Sequence, residues 1–83
     1  MPDGRLGNRL KQWRTDKELT QADLAELAGV SRKTINTVEN GVFVPSVLLA
    51  LILARAFGTS VESLFHLTDR HSVPATERKL LKR

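Results

Sequence analysis

Gln21-Ala22-Asp23-Leu24-Ala25-Glu26-Leu27-Ala28, then Gly29-Val30, then Ser31-Arg32-Lys33-Thr34-Ile35-Asn36-Thr37-Val38-Glu39-Asn40 is the stretch on which the reading of this chain turns. It predicts two short helices meeting at a tight corner. The first has a start signal: Thr20 can cap it while Asp23, three residues on, answers back to the cap backbone, and Leu19 can staple onto Leu24. Leu24, Leu27 and Ala28 recur at helical spacing, and Ala25 is small enough to let another helix approach closely. Gly29 fits the exit, where the chain needs a left-handed residue to leave the helix and turn sharply. Val30 then plugs the corner.

Ser31 is a good N-cap for the second helix, in which Ile35 and Val38 form a narrow apolar stripe. Its remaining face carries Arg32, Lys33, Asn36 and Thr37. These donors and amphipathic hydrogen-bonders gather toward the N-terminal half of a helix, which suits base edges and phosphates approached end-on. Asn40-Gly41 closes the element.

Small Ala25, Gly29 in the turn, and apolar Val30, Ile35 and Val38 at their separations resemble the XRE family of lambda-repressor/Cro-like helix-turn-helix proteins. Leu19-Thr20-Gln21 before them and Val38-Glu39-Asn40-Gly41 after them extend the likeness, which runs from about Asn8 to Phe65. The resemblance implies an all-α fold, a compact five-helix lambda-repressor-like DNA-binding domain with its helix-turn-helix at about 21–40. A helix-corner-helix pattern alone would be weak, because plain helical hairpins also carry a turn glycine. Here several separated motifs agree in register.

The resemblance also implies roles. Arg14 in the first helix is expected to meet Glu39, tying that helix to the end of the recognition helix; a guanidinium fork can satisfy a carboxylate bidentately where water is scarce. Gln21 is expected to hold phosphate and brace the neighbouring base contact. Arg32 and Lys33 are expected in the major groove, where guanine is a natural target for either. Thr37 is a plausible base or thymine-methyl contact, with Asn36 beside it. Thr34 and Asn40 are expected on backbone phosphates, and Ser31 completes the DNA-facing set. Lys17-Glu18-Leu19 departs from the family, where glycine is usual at position 18. Glutamate there must take a positive φ or change the turn.

Eighty-three residues at 9.3 kDa suggest one domain with a modest core, which a partner subunit would help to stabilise. The division expected is a DNA-binding domain over 1–67 and a basic tail or short helix over 68–83. With 41% hydrophobic residues the chain is globular, and with no cysteine it has neither a disulfide framework nor a thiolate metal site. No signal peptide or membrane span is visible, so a cytoplasmic protein without a separate sensing domain is expected. The net charge of +4 favours nucleic acid. Arg70, Arg78, Lys79, Lys82 and Arg83 against Asp69 and Glu77 give the last 18 residues +3 of it, leaving +1 for the first 65. DNA affinity must therefore come from where the cations sit.

In chain order, Met1-Pro2-Asp3-Gly4 reads as a lead-in without regular structure. A helix is expected from about Arg5 or Asn8 to about Asp16, with Leu6, Leu10 and Trp13 on one face and Trp13 a partly buried core residue. Val42-Phe43-Val44-Pro45 is expected to fold back on the core, and Ser46 to cap the next helix. That helix, 47–57, is apolar nearly all round, with Arg55 its one interruption. Val47, Ala50, Leu51, Ala54 and Phe57 fall on one arc, read as the core face. Leu48, Leu49, Ile52 and Ala56 are left opposite, joined by Leu64 further on, and a small domain rarely leaves such a stripe facing water. A twofold homodimer through this surface is expected, with a tail folded over the stripe as the alternative. Gly58 ends the helix and Thr59 or Ser60 starts a short fifth one, in which Leu64 and Phe65 are core or dimer-seam residues. Pro74-Ala75-Thr76-Glu77 can open a short extra terminal helix. The basic tail can reach phosphate or remain a solvated end.

Ser63, His66 and Asp69 are the nearest approach to a catalytic triad, but they lack a nucleophile elbow and an oxyanion-hole signal. His66 and His71 make no zinc spacing, and there is no Gly-rich phosphate loop. No enzyme activity, cofactor, metal or small-molecule ligand is expected. The expectation is a sequence-specific transcriptional regulator, a homodimeric repressor whose partners are double-stranded DNA and a second copy of itself. The alternative is an antitoxin or anti-regulator module using the same fold to bind protein.

Overall fold

The computed structural model describes residues 4–68. The tail and its possible helix lie outside the described residues. Five helices, α1 (Leu10–Asp16), α2 (Gln21–Ala28), α3 (Arg32–Glu39), α4 (Val47–Phe57) and α5 (Val61–Leu64), pack into one bundle. Two three-residue strands flank them, β1 (Leu6–Asn8) and β2 (Phe65–Leu67).

Local chemistry starts and stops the helices. The Thr20 hydroxyl accepts the Asp23 N–H at 3.0 Å, and the Asp23 carboxylate accepts the Thr20 N–H at 2.9 Å, a complete capping box. Ser31, Ser46 and Ser60 cap α3, α4 and α5 through their hydroxyls. Gly29 (φ 71°) and Gly58 (φ 67°) end α2 and α4 in the left-handed region, where a side chain would be strained. Glu18 is the one non-glycine there among the described residues, at φ 57°, a conformation that costs about 1–2 kcal/mol for an L-residue. The turn is held regardless: the Leu19 N–H donates to Arg14 O at 3.0 Å, and Arg14 Nη1 donates to Leu19 O at 2.8 Å.

Leu10, Leu24, Ile35, Leu53 and Leu64 are fully buried at the centre of the bundle, with Val38 beside them. Trp13 packs against this core, its ring 5.9 Å from that of Phe57 and tilted by 49°.

The structure corrects the expectations in five places. The segment before α1 is a strand rather than the beginning of the helix: β1 pairs antiparallel with β2, setting Leu6 opposite Leu67, Gly7 opposite His66 and Asn8 opposite Phe65. The Asn8 carboxamide then accepts the Leu10 N–H at 3.1 Å, which starts α1 two residues later. The core face of α4 is Leu49, Ala50, Leu53, Ala54 and Phe57, rotated from the expected arc, so Val47 and Leu51 are 77% and 54% exposed. Leu49 and Leu64 are buried within the chain and are not available to a partner. Val42, Phe43 and Val44 face outward rather than folding back. Leu27, read as part of the α2 core stripe, is also exposed.

Candidate nucleic-acid interface

α3 is fixed by its two buried residues, Ile35 and Val38, which key it against the core. At 100° per residue, Arg32, Asn36, Lys33 and Thr37 fall on the arc opposite that pair. Arg32, Lys33 and Asn36 are exposed, and no hydrogen bond or ion pair engages their side chains among the described residues. Thr37 is half-buried and donates its hydroxyl to Thr34 O at 3.0 Å, leaving its methyl group and an oxygen lone pair for a contact. Asn40 donates to Asn36 O at 2.9 Å, capping the end of the helix, with its carbonyl oxygen left over. Ser31 and Thr34 face each other across the first turn, hydroxyl to hydroxyl at 2.9 Å. Arg32, Lys33, Asn36 and Thr37 therefore share one side of α3, with Ser31 and Thr34 at its first turn and Asn40 at its far end.

α3 is tied to the rest of the domain at its C-terminal end. Arg14 Nε donates to Glu39 Oε2 at 2.6 Å and Arg14 Nη2 to Glu39 Oε1 at 3.2 Å. Gln21 Nε2 donates to the same Oε1 at 3.1 Å. The Glu39 side chain is 3% exposed and that of Arg14 11%, so water competes little for either. Asn8 Nδ2 adds a bond to Val38 O at 3.0 Å. That fourth tie leaves no mark in the sequence, because the residues are thirty positions apart and an asparagine carries no directional signature.

Gln21 thus stands between two tasks. One amide N–H is spent on Glu39, while the second and the carbonyl oxygen remain for an outside partner. Beside it is a shallow hollow lined by Arg14, Glu18, Leu19, Thr20, Gln21, Ala22 and Arg32. The opening N–H groups of α2 have no intrahelical acceptors, and helix ends of this kind attract anions. Arg32 across the hollow adds its charge to the same place. Asp23 is spoken for: hydrogen bonds from the Thr20 backbone N–H and then from its hydroxyl hold the Asp23 carboxyl below the ordinary range.

A helix whose N-terminal half offers unpaired cations, set against a second helix whose N-terminus faces the same side, has the form of a major-groove reader. The Helix-turn-helix family model (HTH_3) matches residues 10–64. The chain belongs to this XRE-type helix-turn-helix family. Its members are DNA-binding transcription regulators rather than a class of enzyme. An uncharacterized HTH-type transcriptional regulator of Methanocaldococcus jannaschii, MJ0272, is 45% identical over 64 residues, covering 77% of this chain and 97% of the relative. YgzD of Bacillus subtilis, of the same description, is 38% identical over 66 residues, covering 80% and 100%. Among solved structures, the restriction-modification controller protein C.AhdI of Aeromonas hydrophila superposes with a TM-score of 0.64 at 36% identity, covering 66% of this chain and 83% of that one. The SinR protein/SinI protein complex gives 0.64 at 28%, covering 89% and 72%. This helix-turn-helix protein is a transcriptional regulator with a DNA-binding fold. No helix among its described residues is long and apolar enough to cross a membrane.

Proposed function

We propose that this regulator acts as a homodimeric repressor on a palindromic operator, reading bases with the N-terminal half of α3. The observation that carries the reading is the unpaired exposure of Arg32 and Lys33 on the face of α3 opposite buried Ile35 and Val38. Both side chains are free to meet base edges, where a bidentate contact to guanine discriminates by about 1–3 kcal/mol. Thr37 and Asn36 read alongside them. Gln21, Ser31, Thr34 and Asn40 hold phosphates, which set register without choosing sequence.

The second copy docks on the outward arc of α4. Val47 and Leu48 are 77% and 68% exposed, and Leu51, one turn on, extends the same apolar arc. Leu49 and Leu64 take no part, being core residues. Twofold symmetry then sets two α3 helices in successive major grooves about 10 bp apart, and the bound dimer blocks whatever must use that DNA next.

The test is selection of bound duplexes from a random pool with the wild type and with Arg32→Ala/Lys33→Ala. A palindromic consensus that the variant loses is expected. If neither protein enriches a consensus, the reading fails, and the exposed apolar surface favours the second reading, a module that binds another protein. Pull-down with immobilised Leu48→Asp and wild-type chains, differing only in that surface, would then separate the two.

A further inference from the structure

A second apolar surface adjoins the proposed dimer face, with Ile52 one turn of α4 beyond Leu48. Leu19, Asp23, Glu26 and Leu27 line one shallow hollow on α2, and Leu27 with Ile52 and Ala56 lines the next, between α2 and α4. Leu27 belongs to both and is 60% exposed, so the two form one continuous strip with an apolar floor. Its α2 rim is acidic. Asp23 is exposed, with its carboxylate accepting the Thr20 N–H, and the Glu26 carboxylate makes no hydrogen bond or ion pair among the described residues. Arg55, at the far end, is the single cation lining it.

The geometry points to residues 76–83 of the same chain as the occupant of this strip. Thr76-Glu77-Arg78-Lys79-Leu80-Leu81-Lys82-Arg83 carries four cations against one acid, with two adjacent leucines between the cationic pairs. The leucines match the floor of Leu27, Ile52 and Ala56. The cations match Asp23 and Glu26, and Glu77 is the one group of a sign to meet Arg55. Reach is sufficient: the twelve residues from Thr68 to Leu80 extend up to about 40 Å, whereas the radius of gyration is 14.3 Å. Docked there, the tail's four cations neutralise the α2 rim and are withdrawn from DNA phosphate.

The chain has no cysteine, so Lys82→Cys accepts a single nitroxide spin label on the full-length protein. Amide signals of Glu26, Leu27, Ile52 and Ala56 are expected to be lost in the labelled, isotope-enriched chain and to return when the label is reduced. Adding Leu80→Asp and Leu81→Asp to the labelled chain should restore them without reduction. A mixture of enriched unlabelled chain and unenriched labelled chain should leave them intact. The proposal is overturned if the lost signals lie on α3, if broadening is even over the whole surface, if it survives the two leucine changes, or if it appears in the mixture.

Discussion

Arg14 and Glu39, twenty-five positions apart, meet at 2.6 Å through Nε and Oε2, and this contact ties the end of α3 to α1. Glu39 has both oxygens engaged, by Arg14 and Gln21, so losing the arginine leaves a carboxylate that is nearly out of reach of water. Breaking one side of such a pair is more destabilising than removing both. Arg14→Ala is expected to cost about 3 kcal/mol, lowering the melting temperature by roughly 12–24 °C for a domain of this size. Arg14→Lys should recover only part of that, because an ammonium cannot serve Glu39 and Leu19 O in the same fork. Thermal unfolding followed by circular dichroism reads both; an unshifted Arg14→Ala midpoint contradicts the role.

Gly7 is the second place where one atom decides the packing. A Cβ there would fall on the imidazole of His66, its cross-strand partner. Gly7→Ala must push the ring out or open the ribbon, an overpacking cost of about 1–3 kcal/mol. Gly7→Ala combined with His66→Ala removes the clash and should recover stability relative to Gly7→Ala alone. Hydrogen exchange at the Arg9 and Thr68 amides, which donate to Leu64 O and Arg5 O, reports whether the ribbon has opened. Equal protection in wild type and Gly7→Ala would mean that the ring swings out and the ribbon stays closed, whereas an unchanged melting temperature would mean that the ring does not lie on Gly7.

The starts of α2 to α5, the corner and the exposed face of α3 were legible because their causes are local. Thr20 and its answering Asp23 are three residues apart, the left-handed Gly29 stands two before the next cap, Ser31, and each leaves a residue-type signature. The phase of α4 was not legible, for a physical reason: Val47, Leu48, Leu49, Leu51, Ile52 and Leu53 surround the helix with aliphatics, so no polar face marks the outside. Which arc is buried is decided by α2 and α5, and the choice falls on Leu49 and Leu53 instead of Val47 and Leu51. The ribbon was invisible for another reason. Three-residue strands are too short for an alternating pattern, and their partners are nearly sixty residues apart. Of the candidate site, the α3 side chains and Gln21 could be named from sequence, whereas the bond from Asn8 to Val38 O could not.

Acid should act on the start of α2. Hydrogen bonds from Thr20 hold the Asp23 carboxyl below its ordinary value, so its folded pKa is lower than its unfolded one. The sign follows: the cap contributes fully above about pH 3.9, the unfolded value, and its contribution is lost as pH falls through the folded one. Asp23→Asn, which cannot titrate, should show a shallower fall in melting temperature between about pH 5 and 2 than the wild type. Parallel curves for the two proteins would exclude the cap as a contributor.

Base and phosphate contacts should separate in binding measurements. Lys33→Ala removes a side chain proposed to read a base, and is expected to relax sequence choice at one position of each half-site by about 1–3 kcal/mol. Asn40→Ala, proposed to hold phosphate, should weaken all duplexes by a similar factor and leave their ranking alone. Affinities for a panel of single-base operator variants, taken at one salt concentration, distinguish the two patterns. Exchanged patterns would reverse the two assignments.

The rotation of α4 makes its own prediction, since neighbouring residues on one helix now carry opposite consequences. Val47 is 77% exposed and Leu51 54%, so Val47→Glu/Leu51→Glu places two charges in water in the monomer and should leave the fold intact. In a dimer sealed through this arc the same charges meet their own symmetry mates, a like-charge repulsion added to the lost apolar burial. Sedimentation equilibrium should then report a monomer where the wild type reports a dimer, with circular dichroism unchanged. Leu49→Glu, two positions from each, buries a carboxylate without a partner and should unfold the domain instead. A folded Val47→Glu/Leu51→Glu variant that still sediments as a dimer would move the interface off α4, and with it the expected 10 bp spacing of the two reading helices.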